Sequence, residues 1–422
     1  MRKLQVFLEI EGEQKYVGTI IGNTYRDACF AYSDEYLDSD YCRPISISLP
    51  LSGNSFSSEK TKNFFEGLLP EGFSRRAVAE WIKTDENDYL SILAVLGKEC
   101  IGAIKIIENE DTSEDTEYEL LSLERVKELA EEGATTSTQI LMQTHLSLAG
   151  ASGKVGLYYD NGSWYLPVGD APSSHIVKQS HVRLKNIVLN EQLCQKTGKK
   201  LGINVPESFI VNVGNGTDRE VLFATERYDR KISTNRFADK HPLPRRLHQE
   251  DFSQAMGIPA DRKYEKENEG YLRRMFEVVR ENTTNPIVEM MNLWKMICFS
   301  YLVGNTDSHI KNYSLLYSEN LRGIELAPAY DIVSTRVYNT TDEMSFYIGK
   351  EINVNRIKRS SFSEASKEAG ISEKIALKIL DDTAEGFEKA LSESAEELFN
   401  EGFTETLELK KLILERSGYR NL

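Results

Sequence analysis

The sequence has few cysteines and no pattern among them. Cys29, Cys42, Cys100, Cys194 and Cys298 are odd in number, scattered and never in a Cys-x-x-Cys pair, which argues against a disulfide framework and against a zinc site. Long apolar runs are missing too, since no stretch approaches the roughly 18 uninterrupted apolar residues of a membrane span. A signal peptide is not expected, because Met1-Arg2-Lys3-Leu4-Gln5-Val6-Phe7-Leu8-Glu9-Ile10 alternates in polarity and runs straight into Glu11, Glu13 and Lys15, the pattern of a strand. The expected home is the cytoplasm, with no membrane partner. Positive charge is not in excess either. There are 51 Lys and Arg against 66 Asp and Glu, a net charge of −15, so the chain repels phosphate backbones, and DNA is expected only indirectly, through a basic partner. Internal repeats and low-complexity blocks are lacking.

What is present is an ordinary globular composition, 40% hydrophobic and 28% charged over 422 residues. That length exceeds what one hydrophobic core usually organises, so two or three domains or lobes are expected. Strand signals fall at Leu4–Ile10, Lys15–Ile21 and Ile45–Leu51. Phe64, Phe65, Leu68 and Leu69, then Ala77, Val78 and Trp81, recur at helical spacing around Pro70-Glu71-Gly72. Six of the ten residues from Glu108 to Glu117 are acidic and none is basic, the composition of a solvated linker. From about 137 to 228 strand signals return in Val155–Tyr159, Trp164–Pro167 and His175–Lys178, interrupted by a helix from Asn190 to Leu201. Beyond 250 helical periodicity dominates. The expected organisation is an N-terminal β-rich subdomain (1–110), an acidic linker and helix (111–136), a nucleotide-binding lobe (137–228) and a helical catalytic lobe (229–422).

The chemistry gathers in the last of these. A helix Pro286–Tyr301, with Pro in its first turn and an apolar stripe through Met290, Trp294, Ile297 and Tyr301, leads into Gly304-Asn305-Thr306-Asp307-Ser308-His309-Ile310-Lys311-Asn312. Asp307 and Asn312 stand five residues apart, and Asp331 follows Asn312 by nineteen. Phosphoryl transfer needs a carboxylate for the attacking hydroxyl, an amide and a second carboxylate for magnesium, and cations on the phosphates. Asp307, Asn312 and Asp331 suit the first three roles. Alone, an Asp-x-x-x-x-Asn in a polar loop is usually a turn; the buried helix before it and the apolar run Tyr313–Tyr317 after it reverse that reading. The spacing is shared by protein kinases and small-molecule kinases, and His309 two residues after the Asp is commoner in the latter.

The phosphate-holding side is expected upstream. Leu146-Ser147-Leu148-Ala149-Gly150-Ala151-Ser152-Gly153-Lys154-Val155-Gly156 sets small residues between strands, so that backbone amides can approach phosphates. It is not a Walker A loop, which would need Gly at 148 and Ser or Thr at 155. Lys178 ends a strand, as a kinase nucleotide lysine does, and Glu191, thirteen residues later on a helix, is its candidate partner. Phe223-Ala224-Thr225-Glu226-Arg227-Tyr228-Asp229 reads as the hinge under adenine, with backbone groups of Glu226 and Tyr228 as contacts.

At this point the residues resemble one family, the HipA toxin kinases of bacterial toxin–antitoxin modules. The resemblance runs through Phe64–Pro70, Gly97–Ala103, Ser147–Ala151, Asn190-Glu191, Leu201–Pro206, Glu226–Arg230, Gln249–Phe252, Asn305–Asn312 and Pro328–Asp331, nearly the whole chain. It implies an α+β fold of the two-lobed protein-kinase-like type, with an extra N-terminal subdomain and an all-α C-terminal lobe. It also implies an ATP- and Mg2+-dependent serine/threonine kinase that inactivates a translation component, typically an aminoacyl-tRNA synthetase, restrained by a helix-turn-helix antitoxin (HipB-like). In position, Asp307 matches the family's catalytic base, Asp331 its magnesium ligand, and Lys178 its nucleotide lysine. Ala149, Gly150, Ala151, Ser152, Gly153 and Lys154 match the phosphate loop, and Glu226, Arg227 and Tyr228 the hinge. His309, Lys311 and Asn312 match catalytic-loop contacts, with Tyr330 joining the nucleotide contacts, and Ser147 matches the serine that such kinases autophosphorylate to switch themselves off. A phosphoserine beside a loop that receives phosphates would repel them. Ser152 and Gly153 depart from the commoner Gly-Ala-Gln-Glu-Lys pattern and remove a carboxylate. Two alternatives stay open: a small-molecule kinase of the aminoglycoside or choline kinase type, and an inactive corepressor of the antitoxin.

Overall fold

The computed structural model describes residues 1–108, 116–132, 134–144 and 153–422. They form two compact units. One comprises Met1–Gln179, Ala224–Ala260 and Leu316–Ile324, the other Ser180–Phe223, Asp261–Leu315 and Glu325–Leu422.

In the first unit, β1 (Arg2–Ile10), β2 (Glu13–Gly22), β3 (Cys29–Tyr32) and β4 (Ile104–Ile107) make an antiparallel sheet in the order β3-β2-β1-β4. Alternation drives β1, since Leu4, Val6 and Leu8 are fully buried. The β1–β2 turn is Glu11-Gly12, both at positive φ (52° and 86°), the geometry that a two-residue hairpin turn matched to strand twist requires. Phe30 of β3 meets Phe65 of the helix Ser58–Phe65 edge to face, with ring centroids 5.3 Å apart. A second sheet orders β5 (Glu117–Leu120), β6 (Lys154–Asp160), β7 (Ser163–Val168) and β8 (His175–Gln179) as β5-β7-β6-β8. The strand expectations at 155–159, 164–167 and 175–178 match β6, β7 and β8, whereas the stretch just after 137 is helical, within Ala134–Thr144.

The strand expected at Ile45–Leu51 does not form. Only an isolated Ser46–Leu49 bridge is present. Side chains hold the backbone amides that a ladder would need: Tyr32 Oη accepts from Ile45 N (3.0 Å), Glu250 Oε1 from Ile47 N (3.1 Å) and Ser46 Oγ from Ser48 N (3.1 Å). Glu250 is fully buried there, also accepting from Ser46 Oγ (2.6 Å) and the Tyr317 hydroxyl. Burial pushes its carboxyl up to about 7 against these donors. A raised carboxyl favours the folded state below its unfolded pKa near 4.5, and that advantage disappears as pH rises through about 7. Buried His175 and His248, held down to about 4, favour the fold as pH rises; against them Glu250 is expected to contribute a decline of roughly 3 kcal/mol from pH 5 to pH 8, read as the difference between wild type and variant in thermal unfolding. Glu250→Gln, neutral throughout, should lose most of that slope; an unchanged slope would exclude Glu250 as its source.

The second unit is mainly helical. Its longest helix, Glu373–Asn400, buries Ala376, Leu380, Thr383, Phe387, Leu391, Ser394 and Leu398 at three- and four-residue spacing. Ala376 lies against the helix Pro286–Val303, whose Trp294 Nε1 donates to the Ala376 carbonyl (3.0 Å). The region 229–422, expected to be all α, also holds the strands Gln249–Asp251, Ser314–Tyr317 and Ile324–Leu326 of a three-stranded sheet and two hairpins, Arg230–Ala238 with His241–Arg246 in the first unit and Glu343–Ile348 with Glu351–Asn353 in the second. In the latter, the apolar residues Met344, Phe346 and Ile348 are buried and recur at period two inside a helix-dominated stretch.

Candidate active site

The helix Pro286–Val303 stops at Gly304, which takes a left-handed φ of 73° and releases the chain into the loop that follows. That loop is fastened at almost every residue. Asn305 N donates to Ser300 O (2.8 Å), Thr306 N to Thr335 Oγ1 (2.7 Å), and Asp307 N to Asn305 Oδ1 (3.2 Å). Ser308 Oγ meets Ser300 Oγ (3.1 Å) and Tyr313 Oη (2.6 Å), and Ser345 Oγ donates to Thr306 O (2.8 Å). Asn305, Thr306, Ser308, His309, Ile310, Lys311 and Asn312 are all buried. Asp307 is exposed. One charged carboxylate thus stands at the surface of a rigid, hydrogen-bonded loop.

Asn312 Nδ2 donates to the Asp307 carbonyl (2.9 Å), so its oxygen, the metal-binding atom of the amide, is not the one engaged there. Asp331 has φ of +57°, a conformation costly for a residue with a side chain and maintained only where the surroundings over-determine it. Asn305 Nδ2 reaches its carbonyl (3.4 Å). On one side Tyr330 Oη donates to Lys311 O (2.7 Å) and meets Ser314 Oγ (2.7 Å). On the other, Asn190 of the helix Ile187–Lys200 pairs with both the N–H and the carbonyl of Ser334 (3.0 Å each). Among the described residues no three His, Cys, Asp or Glu side chains form a metal cage. A carboxylate with an amide oxygen suits magnesium, which binds one or two protein groups and takes its remaining ligands from phosphates and water.

The other predicted residues that the structure describes lie in the first unit, except Glu191. Lys154 of β6 and Lys178 of β8 are direct cross-strand partners, so their side chains share one face of the sheet. At Gly153 a Cβ would fall 1.8 Å from Gln179 Nε2, the end of a flexible side chain that can swing aside. Glu191 is buried on its helix in the second unit. Ser147, Ala149, Gly150, Ala151 and Ser152 lie outside the described residues.

Of the three residues expected at the hinge, Glu226 is exposed and ends the strand Val221–Glu226, while Tyr228 donates its hydroxyl to Gln249 Oε1. Arg227 is buried: its guanidinium binds Asp229 through Nε (2.9 Å) and Nη2 (2.7 Å) and approaches Glu99 (3.3 Å), and its N–H donates to Ser174 O. Its side chain is therefore structural. Sequence reading missed Thr335, Ser345, Tyr264 and Glu265. Tyr264 donates its hydroxyl to Asp307 Oδ1 (2.5 Å), and the lone signal for it is one aromatic within the charged run Asp261–Glu267.

Residues 146–391, more than half of the chain, match the family model of the HipA-like C-terminal domain. The chain belongs to the HipA family. Residues 8–107 match the HipA N-terminal domain. This HipA-family chain is 29% identical over 403 residues to a putative kinase, Y4mE, of Sinorhizobium fredii, covering 92% of this chain and 93% of that protein. It is 27% identical over 339 residues to the serine/threonine-protein kinase toxin HipA of Shewanella oneidensis, covering 77% and 74%. A solved complex of HipA, HipB and operator DNA from Shewanella oneidensis MR-1 contains a chain that superposes with a TM-score of 0.80 at 23% identity, over 98% of this chain and 96% of that one. The fold is thus the α+β, two-lobed kinase-like fold of HipA. No helix among the described residues is long and apolar enough to cross a membrane.

Proposed function

We propose that this chain is a cytoplasmic serine/threonine protein kinase, the toxin of a toxin–antitoxin pair, which transfers the ATP γ-phosphate to a component of translation such as an aminoacyl-tRNA synthetase. The observation that carries the reading is the single exposed carboxylate, Asp307, on the otherwise buried loop Asn305–Asn312. In this reading Asp307 orients the acceptor hydroxyl and takes its proton as the phosphate transfers. Asn312 and Asp331 hold Mg2+, which when bound neutralises charge on the phosphates. Lys154 and Lys178 take phosphate oxygens, as do the backbone amides of 149–153, and His309, Lys311 and Tyr330 support the nucleotide and the loop. Backbone groups of Glu226 and Tyr228 contact adenine, while Arg227 only braces that segment.

The HipB present in the Shewanella complex supports a helix-turn-helix antitoxin as partner, with DNA reached only through it. The reading predicts that a cell-free translation extract stops synthesis when the purified chain and ATP are both added, and that the antitoxin relieves the block. Synthesis continuing at the control rate would contradict it. Ser147 is the proposed site of self-inactivation. Ser147→Ala is expected to lose one phosphopeptide after incubation with ATP and to keep transferring phosphate after the wild type has stopped. A wild-type phosphopeptide map with Ser147 unmodified would exclude this switch.

A further inference from the structure

The segment that precedes the helix Tyr271–Asn282 brings a hydroxyl onto the carboxylate proposed as the base, and it is anchored for that purpose. Tyr264 donates to Asp307 Oδ1 at 2.5 Å, and its ring meets His309 edge-on with centroids 5.2 Å apart. Tyr264 itself is 41% exposed, so packing of its own side chain does not explain its placement. The next residue does. Glu265 is 4% exposed, and its carboxylate accepts from Gly270 N (2.7 Å), Tyr271 N (3.1 Å) and Tyr347 N (2.9 Å). Glu265 N donates to Ser345 O (2.8 Å), and the Ser345 hydroxyl donates to Thr306 O (2.8 Å). The neighbour of Tyr264 and the neighbour of Asp307 are therefore tied to the same residue, Ser345 of the strand Glu343–Ile348. From the other side, Tyr271 Oη holds Arg262 O (2.8 Å).

A general base must present one carboxylate oxygen in a defined geometry, and a donor anchored on the other oxygen helps to set it; phosphoryl transfer depends on such alignment. We infer that Tyr264 is a positioning residue of the phosphotransfer site: its hydroxyl holds Asp307 Oδ1 so that Oδ2 receives the proton of the acceptor hydroxyl, with Glu265 and Ser345 setting the distance. The inference rests on the reading of Asp307 as the base.

The test compares the wild type with Tyr264→Phe, Tyr264→Ala and Asp307→Asn in magnesium-dependent ATP phosphotransfer, recording kcat, KM for ATP and the thermal midpoint. Tyr264→Phe is expected to lower kcat by about 10-fold or more, with KM for ATP and the midpoint unchanged, and Tyr264→Ala to fall by at least as much. A merely structural role would move the midpoint, and a packing role against His309 would be met by the phenylalanine ring. Wild-type kcat in Tyr264→Phe beside an inactive Asp307→Asn overturns the role of Tyr264 alone. An Asp307→Asn variant as active as the wild type overturns the reading of the base, and this inference with it.

Discussion

Glu99→Ala is expected to destabilise the protein by about 3–5 kcal/mol, the cost of leaving a buried charge without its partner. Glu99 lies among three guanidiniums. Its Oε1 is 2.8 Å from Arg230 Nη2 and 3.3 Å from Arg227 Nη1, and its Oε2 is 2.7 Å from Arg246 Nη2. Asp229 and Glu9 complete the group, so three arginines face three carboxylates, all buried. Deleting Glu99 leaves a net positive charge with no water to solvate it. Burial alone would raise the Glu99 carboxyl, but Arg230, Arg246 and Arg227 overcome it and hold it near 2. Such a depressed carboxyl stabilises the fold above its unfolded pKa near 4.5, and that contribution is lost as pH falls towards 2. An exposed pair such as Lys378–Asp382 is worth about 0.3–0.5 kcal/mol, so Asp382→Asn is the proper control. Urea unfolding at neutral pH checks both. A Glu99→Ala loss no larger than that of the control would show that the cluster does not hold this unit together.

Asp307→Asn is expected to lower kcat by about 10³-fold, the middle of the range for a general base, while moving stability by less than about 0.5 kcal/mol. The separation of the two effects follows from exposure. Asparagine keeps the shape of the side chain and an oxygen for the Tyr264 hydroxyl, and removes only the charge and the proton acceptor. Substituting His309 or Asn312 would be less informative, because both are buried and their loss disturbs the loop as well as the chemistry. Steady-state kinetics with a parallel melting curve makes the distinction. Retained activity would remove Asp307 from the mechanism.

How far the sequence foretold this arrangement depended on distance along the chain. The helix ending at Val303 and the loop behind it were legible because their signals are local: Pro at the first turn, an apolar stripe, a stop glycine and an Asp–Asn spacing. Tyr264 was not, since it reaches Asp307 across 43 residues through a strand whose alternation is only a few residues long. The segment Ile45–Leu51 has strand composition, yet Glu250, 203 residues away, takes the Ile47 amide. Arg227 lies in the segment expected as the hinge, but its guanidinium binds Asp229 and reaches Glu99, 128 residues upstream. Propensity and spacing do not register such long-range side-chain demands.

The central claim is that this chain moves phosphate from ATP onto protein. The direct measurement is incubation of the purified chain with γ-labelled ATP, magnesium and a cell extract, followed by separation of the proteins. The account predicts at least one labelled protein band with the wild type and none with Asp307→Asn. Label released or carried on small molecules, with no labelled protein in either lane, would contradict it.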